Sequence, residues 1–327
     1  MTERLRDNPD ELDVLVALAA VALGIPPAYV EKDFWVTEVL RAASPARKIS
    51  ASDGSTTEVL FVFKGGTSLS RVFKIIDRFS EDVDLLAVFP DGMTSTARHS
   101  ILKRVDADVT AHLGLAATDV VVTSSTTGVK RYTTYSYPTD TTDGDIKEGV
   151  LLELGSRGGA QPASEYPYRS LVAEHALTLG ENENTWEEFA PFNVWVLAPE
   201  RTLLEKVAAV HDAATRIDTE SLLKHGRHFY DIYQLLKNDR VHDALQKLGP
   251  SGIAALVEDI NTHSEAAGFS WSPRPEGGYA DSPAFDAKNS AAETIATGYR
   301  SAQNLIHGAP VTIEEISTTV SASRQIL

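Results

Sequence analysis

Residues 58–89 read EVLFVFKGGTSLSRVFKIIDRFSEDVDLLAVF. The β-branched and aromatic run over 58–63 predicts a strand. Gly65-Gly66 then makes a turn, and one amphipathic helix leads to a second apolar run that opens with Asp82-Val83-Asp84. Side chains alternate faces along a strand, so two Asp residues two apart point the same way. Paired carboxylates beside a glycine turn and a helix N-terminus suit a divalent metal and a polyphosphate.

Upstream, residues 12–23 (LDVLVALAAVAL) predict an apolar helix that stops at Gly24 and Pro26-Pro27. A second helix over 28–43 carries Glu31-Lys32-Asp33-Phe34-Trp35, with Val30, Phe34, Val39 and Leu40 at helical spacing. Asp53-Gly54 marks a turn into the first strand. Downstream of the second strand, Pro90-Asp91-Gly92 is a turn, and a helix follows over 95–113. Strands are expected over 119–123, 129–137 and 149–154, the last with Glu153 inside an apolar run, and again over 192–197. Residues 139–144 read as a polar loop and 155–170 as a long one. From Pro199 helical periodicity takes over, with helices over 199–214, 220–236 and 241–261 and two more in the last forty residues. The expected architecture is α+β: N-terminal helices and a mixed sheet with flanking helices over 1–198, then a mostly helical domain over 199–327.

Composition narrows the class. The chain has 327 residues, no cysteine and a formal net charge of −16. No run of about 18 apolar residues is present, so a membrane span is not expected. The N-terminal MTERLRDNPDELD is unlike a secretory signal. A reducing cytoplasm is the expected compartment, with no disulfides or thiolate metal sites. The acidic balance argues against nonspecific coating of nucleic acid. It leaves room for one local basic patch, and Lys64, Arg71, Lys74 and Arg78 cluster around the opening motif.

Lys64-Gly65-Gly66-Thr67-Ser68 lies between a strand and a helix. Glycines let a backbone approach phosphate closely, and Thr67 or Ser68 offers a cap and a hydroxyl. The spacing is not that of a P-loop, and a Gly-Gly turn alone is commonly structural. Asp82 and Asp84 alter that balance, because acids in a strand apolar on both faces are costly unless paired or metal-bound. Glu153 on another strand would be a third ligand of a two-metal Mg²⁺ site, or the partner of Arg157. Ser80 could bond a carboxylate or phosphate, or cap local backbone. Arg78, just upstream, and Lys64 are further cations for a nucleotide's phosphates. By position alone, Lys206 reads as a solvated lysine beside the stripe Leu203, Leu204, Val207 and His211. By the helical wheel, Asp231 is solvated or paired with Arg227 or His228. His225 and His228 stand three apart without further ligands for zinc.

Taken together, the chain resembles the AbiEii/AbiGii-type nucleotidyltransferase toxins of the polymerase-β-like nucleotidyltransferase superfamily. The resemblance rests on EKDFW, FKGGTSLSRVF…RFSEDVDL, VLLELGSRGG, ERTLLEK, HFYDIY and PRPEGGYADSPAF, which occur in order along most of the chain. It implies that Asp82 and Asp84 are the metal-binding pair, with Ser80 the serine just ahead of them. It further implies that Lys206 is the nucleotide-binding lysine after Thr202 and Glu205, and that Asp231 is the acid of the final motif. The gap from Gly66 to Asp82 is longer than usual, and an extra helical turn would absorb it. Such proteins are toxins of toxin–antitoxin or phage-defence pairs that transfer a nucleotide from an NTP. Some extend tRNA 3′ ends with pyrimidines, and some are silenced by phosphorylation near the serine. The resemblance thus implies an NTP substrate, an RNA acceptor such as tRNA, Mg²⁺ and a cognate antitoxin acting near Ser80. A nucleotidyltransferase acting on a small molecule or protein, and a non-catalytic nucleotide- or partner-binding module, are the alternative readings.

Overall fold

The structure, a computed structural model, describes residues 2–50, 56–139, 146–156, 159–266, 268 and 271–327. The turn expected at Asp53-Gly54, most of the loop over 139–144, and Arg157 lie outside the described residues. The chain forms two compact units, each assembled from separate stretches of sequence. One comprises Met1–Thr67, Ser80–Ser156 and Ala163–Val196; the other comprises Ser68–Phe79, Arg157–Pro162 and Leu197–Leu327.

In the first unit, α1 (Pro9–Leu23) starts with proline in its first turn and ends at Gly24, whose left-handed φ of 68° lets its N–H reach Ala20 O. α2 (Pro27–Ala43) is buried almost throughout, including Glu31, Lys32, Asp33 and Glu38. Burial of charge is tolerable only with partners, and they are present. Asp33 Oδ2 accepts the Leu171 N–H at 2.6 Å, and Glu31 Oε2 accepts the Thr139 hydroxyl at 2.8 Å. Glu38 meets Arg41 at 2.9 Å and His112 at 2.8 Å.

The chain continues through β1 (Arg47–Ser50), β2 (Thr56–Lys64), α3 (Gly65–Arg71), β3 (Asp82–Val88) and α4 (Ser95–Leu113). Next come β4 (Val120–Thr126), β5 (Lys130–Tyr135), β6 (Val150–Gly155), β7 (Ala163–Tyr168), α5 (Leu171–Thr178) and β8 (Phe192–Leu197). The sheet order is β4-β5-β6-β3-β2-β8-β7, with β1 paired to β2. β3 is central, antiparallel to β2 and parallel to β6. Its apolar residues Val83, Leu85, Leu86 and Ala87 are all buried, as a strand covered on both faces requires. This is the mixed sheet with flanking helices that the sequence implies.

Two departures have plain causes. The loop expected over 155–170 contains β7, whose ASEYPY sequence hides its character. At the end of the strand order, β7 tolerates Pro167, which a central position would not. The helix expected after Gly66 is only α3, which stops at Arg71; Lys74 then takes a left-handed φ of 54°. The long spacing to Asp82 is therefore taken up by non-helical chain, not by an extra helical turn.

The second unit is helical: α6 (Pro199–Thr215), α7 (Thr219–Lys224), α8 (Gly226–Lys237), α9 (Asp239–Ala266), α10 (Ala292–Ala302) and α11 (Ile313–Ala322). Its core gathers Leu203, Leu204, Val207, Phe229 and Ile232 with Leu69, Ile75 and Ile76 from the early stretch Ser68–Phe79. The helix expected over 220–236 is two, broken at His225. A Cβ at Gly226 would overlap the Gly298 carbonyl, so the break lets two backbones touch. α9 is kinked at Gly249, with φ 63°, just before Pro250. Among the described residues no single helix is long and apolar enough to cross a membrane.

Candidate active site

The acid pair is built by strand register. Asp82 and Asp84 sit at the start of β3 and are half-buried, while Val83 between them is fully buried. Asp84 lies opposite Lys64 of β2 and Glu153 of β6, and Glu153 lies opposite Tyr132 of β5. Register partners share a face, so Lys64, Asp84, Glu153 and Tyr132 form one half-exposed row. Among the described residues no group of three or more His, Asp or Glu side chains is arranged to hold a metal ion. Asp82 and Asp84 could supply the one or two protein carboxylates that Mg²⁺ usually takes, with phosphate and water as its other ligands. The donor set therefore fits Mg²⁺ brought with a nucleotide better than a closed protein cage.

The glycine turn is shaped around that pair. Gly65 has φ +80°, and a Cβ there would overlap the Asp84 carboxylate, with Cγ only 2.9 Å away. The Thr67 hydroxyl donates to the Asp82 carbonyl at 2.6 Å and lies 3.0 Å from the Ser80 hydroxyl. The turn is thus tied to the first residue of β3. Gly66 and Thr67 are buried, Ser68 is completely so, and Ser80 is half-exposed.

Beside the acids lies a set of charges to which sequence reasoning gave no role. Lys32 of α2 is 1% exposed and donates to the Lys147 carbonyl at 2.7 Å and to the Gly149 carbonyl. Its ammonium is 3.6 Å from Glu81, whose carboxylate accepts the Lys147 N–H at 3.0 Å. Burial pulls the Lys32 pKa below the usual lysine value, while Glu81 and Asp82 oppose that shift. The Lys147 side chain is 63% exposed, with Nζ 3.6 Å from Glu81 and 3.9 Å from Asp82. The readable signal was a lysine between two acids, Glu31 and Asp33, in a helix whose Val30, Phe34, Val39 and Leu40 are buried.

The second unit holds its own charged cluster. Asp231 on α8 is fully buried, contrary to the helical-wheel expectation of a solvated acid. His228 acts on it electrostatically, but its ion-pair partners are Arg78 and Lys206. Arg78 grips it with Nε at 2.6 Å and Nη2 at 2.7 Å, and Lys206 of α6 lies 2.9 Å away. Burial by itself would raise the Asp231 pKa, but Arg78 and Lys206 outweigh it and hold the carboxyl well below the usual range. Lys206 is 7% exposed, so it is not the solvated lysine that position alone suggests. Arg78 is held in turn by backbone: the Phe79 N–H bonds Leu305 O at 2.9 Å, and the Gly308 N–H bonds Asp77 O at 3.0 Å. Burial and the nearby Lys206 push the His228 pKa well below the usual imidazole value. His228 stacks on His225 with ring centroids 4.7 Å apart.

Of the four cations read as a basic patch, Arg78 is committed to Asp231, Lys64 and Arg71 are half-buried, and Lys74 is exposed. The remaining motifs are largely architectural. Arg201 of ERTLLEK is fully buried, pairs with Asp259 at 2.7 Å and donates to the Gln161 carbonyl. Gly159 leaves space for it, since a Cβ there would lie 2.6 Å from the guanidinium. In PRPEGGYADSPAF, the Pro273 carbonyl and Ser282 hydroxyl hold the two ring nitrogens of His211 at 2.9 and 3.0 Å. A cavity of about 290 Å³ in this unit, lined by Val257, Glu258, Asn261, Trp271 and Arg274 among others, contains none of the expected site residues.

A comparison with curated proteins finds none that matches the chain. A family model described as "Nucleotidyl transferase AbiEii toxin, Type IV TA system" matches residues 53–298, well over half of the sequence. That span contains the glycine turn, the acid pair, Lys206 and Asp231. The chain therefore belongs to the AbiEii family, the nucleotidyltransferase toxins of type IV toxin–antitoxin systems, and a cognate antitoxin is its implied partner.

Proposed function

We propose that the toxin moves a nucleoside monophosphate from an NTP to an RNA acceptor, the 3′ end of tRNA, and thereby blocks translation. The observation that carries this is the Asp82/Asp84 pair on one face of β3, with Gly65 keeping the space before Asp84 clear. Asp82 and Asp84 would hold Mg²⁺, with Glu153 as the third acid of that face. When bound, Mg²⁺ neutralises charge on the phosphates and polarises the reacting oxygens.

The rest falls to the chain. Lys64, Gly65, Gly66, Thr67 and Ser68 form the phosphate-binding turn, in which Thr67 fixes the backbone at Asp82. Lys206 binds the nucleotide, oriented by Asp231, which Arg78 holds in place. The acceptor's terminal hydroxyl oxygen attacks the α-phosphorus and releases its proton to water, the α–β phosphoanhydride bond breaks, and pyrophosphate leaves.

Ser80 is the point at which we propose the antitoxin acts, by phosphorylation. The serine is half-exposed and 3.0 Å from Thr67 Oγ1. A phosphate there adds about −1.5 to −2 charges where the triphosphate binds. Ser80 still unmodified in toxin isolated from cells making both proteins would remove this part of the reading.

One assay tests the main reading. The protein is incubated with Mg²⁺, each labelled NTP, and total tRNA or lysate, beside Asp82→Ala. Label in tRNA that is lost in the variant supports the proposal. Label in a protein or small molecule moves the acceptor elsewhere, and no label with any NTP points to a non-catalytic binding module.

A further inference from the structure

The backbone of Lys147 is held by two hydrogen bonds, while its side chain is exposed. The Lys147 N–H is bonded to Glu81 at 3.0 Å and its carbonyl to buried Lys32 at 2.7 Å. Two residues on, Gly149 has φ +67°, and a Cβ there would lie 2.7 Å from the Tyr135 carbonyl, so the turn packs tightly into β5. β6 begins next and runs parallel to β3, with Leu151 opposite Asp82. The result is an anchored backbone with a 63%-exposed lysine whose ammonium reaches both Glu81 and Asp82.

A solvated lysine has no need of such anchorage. Glu81 already has the buried Lys32 ammonium at 3.6 Å. Lys147 adds a second positive charge beside the same two acids, 3.6 Å from Glu81 and 3.9 Å from Asp82, and it is the exposed one of the two lysines. Lys147 is exposed, so solvent screens its attraction for Asp82 and leaves a pull weak enough to yield to a divalent cation.

We propose that Lys147 is a further residue of the transfer site, the resident counter-cation of Asp82, which competes with a divalent cation for that carboxylate and, once displaced, binds the phosphates of the incoming triphosphate. This rests on the nucleotidyltransfer reading above for its second half and on the geometry at Asp82 for its first. Lys147 is long and exposed, so the change of partner needs only side-chain rotation. Glu81 and Lys32 are positioning residues in this scheme: they hold the backbone from which Lys147 swings.

The test uses the full chain and two titrations, Mn²⁺ alone and then a non-hydrolysable nucleoside triphosphate with Mn²⁺ at saturation, both by calorimetry. Lys147→Ala should bind Mn²⁺ several-fold more tightly, because a competing cation is gone, and bind the triphosphate several-fold more weakly. Lys147→Arg should return both affinities toward wild type. A general loss of structure would weaken both, and a lysine without a role would change neither; either result overturns the proposal, as does a change in one affinity alone. If wild-type protein transfers nucleotide to no acceptor, the function proposed above fails while these titrations still decide the role of Lys147. If wild type is active and both affinities are unmoved in Lys147→Ala, only the present inference fails.

Discussion

A side chain at residue 65 and the carboxylate of Asp84 cannot occupy the same space: a Cβ on Gly65 would lie 2.9 Å from Asp84 Cγ and overlap Oδ2. The glycine also carries φ +80°, which costs other residues about 1–2 kcal/mol. Gly65→Ala should therefore move Asp84 even where the fold survives. Displacement of a reacting group by about 1 Å can cost on the order of 10²-fold in rate. Nucleotide transfer should fall by about that factor while circular dichroism stays native. A fully active Gly65→Ala enzyme would show that Asp84 need not hold its place.

The Asp231 cluster predicts an order of stabilities. Asp231→Ala leaves Arg78 and Lys206 buried together, and breaking a buried pair costs about 3–5 kcal/mol. Lys206→Met leaves Asp231 its two bonds from Arg78, so the loss should be smaller, about 1.5–3 kcal/mol. Urea midpoints would rank them. Lys206→Met should lose nucleotide binding as well, and unchanged triphosphate affinity in that variant would leave the lysine a purely structural role.

Acid titration offers a second view of the same acid. The native Asp231 pKa is depressed, so near and below the unfolded value of about 3.9 the folded state binds fewer protons than the unfolded state. Its contribution is then fully present above that value and is lost as pH falls through the native one. The stability gap between wild type and Asp231→Asn should be constant above about pH 5 and shrink on acidification. A gap that widened toward pH 3 would contradict the sign of the shift.

Asp82 and Asp106 should behave as opposites. Asp106 accepts from Thr133 and Tyr135 at 2.9 Å each, and from Arg131, locking α4 to β5. Asp106→Ala strands three donors, each worth about 1–3 kcal/mol when left unsatisfied, so thermal stability should fall sharply while the folded fraction keeps its affinity for NTP. Asp82→Asn should keep the wild-type melting temperature to within a few degrees and lose transfer. Matching phenotypes would mean that Asp82 is only another structural acid.

Much of this was legible where the signal is local. The span 192–197 is a strand as read, and Ser95–Leu113 is the helix that its stripe of Ile101, Leu102, Val105 and Val109 requires. Asp82 and Asp84 share a face because β3 has the period of a strand. What could not be read was partnership across sequence distance. A helical wheel assigns Asp231 to solvent because it knows nothing of Arg78, 153 residues earlier. The same blindness hid Lys32, whose partners are backbone carbonyls at Lys147 and Gly149. Arg201 likewise reads as an ordinary polar residue in the first turn of a helix, and its burial follows from Asp259 and the Gln161 carbonyl.

The segment Ser68–Phe79 leaves the ribosome between β2 and β3, yet Leu69, Ile75 and Ile76 belong to a core whose other members come from α6 onward. A nascent chain must therefore carry these apolar residues without their packing partners until the late helices emerge. A premature stop after β8 would yield a sticky fragment rather than a half-strength toxin. For a poison made by the cell that it harms, this ties activity to completed synthesis of the helical unit. Nonsense mutations anywhere along α6 to α8 should accordingly disarm it as fully as loss of Asp82.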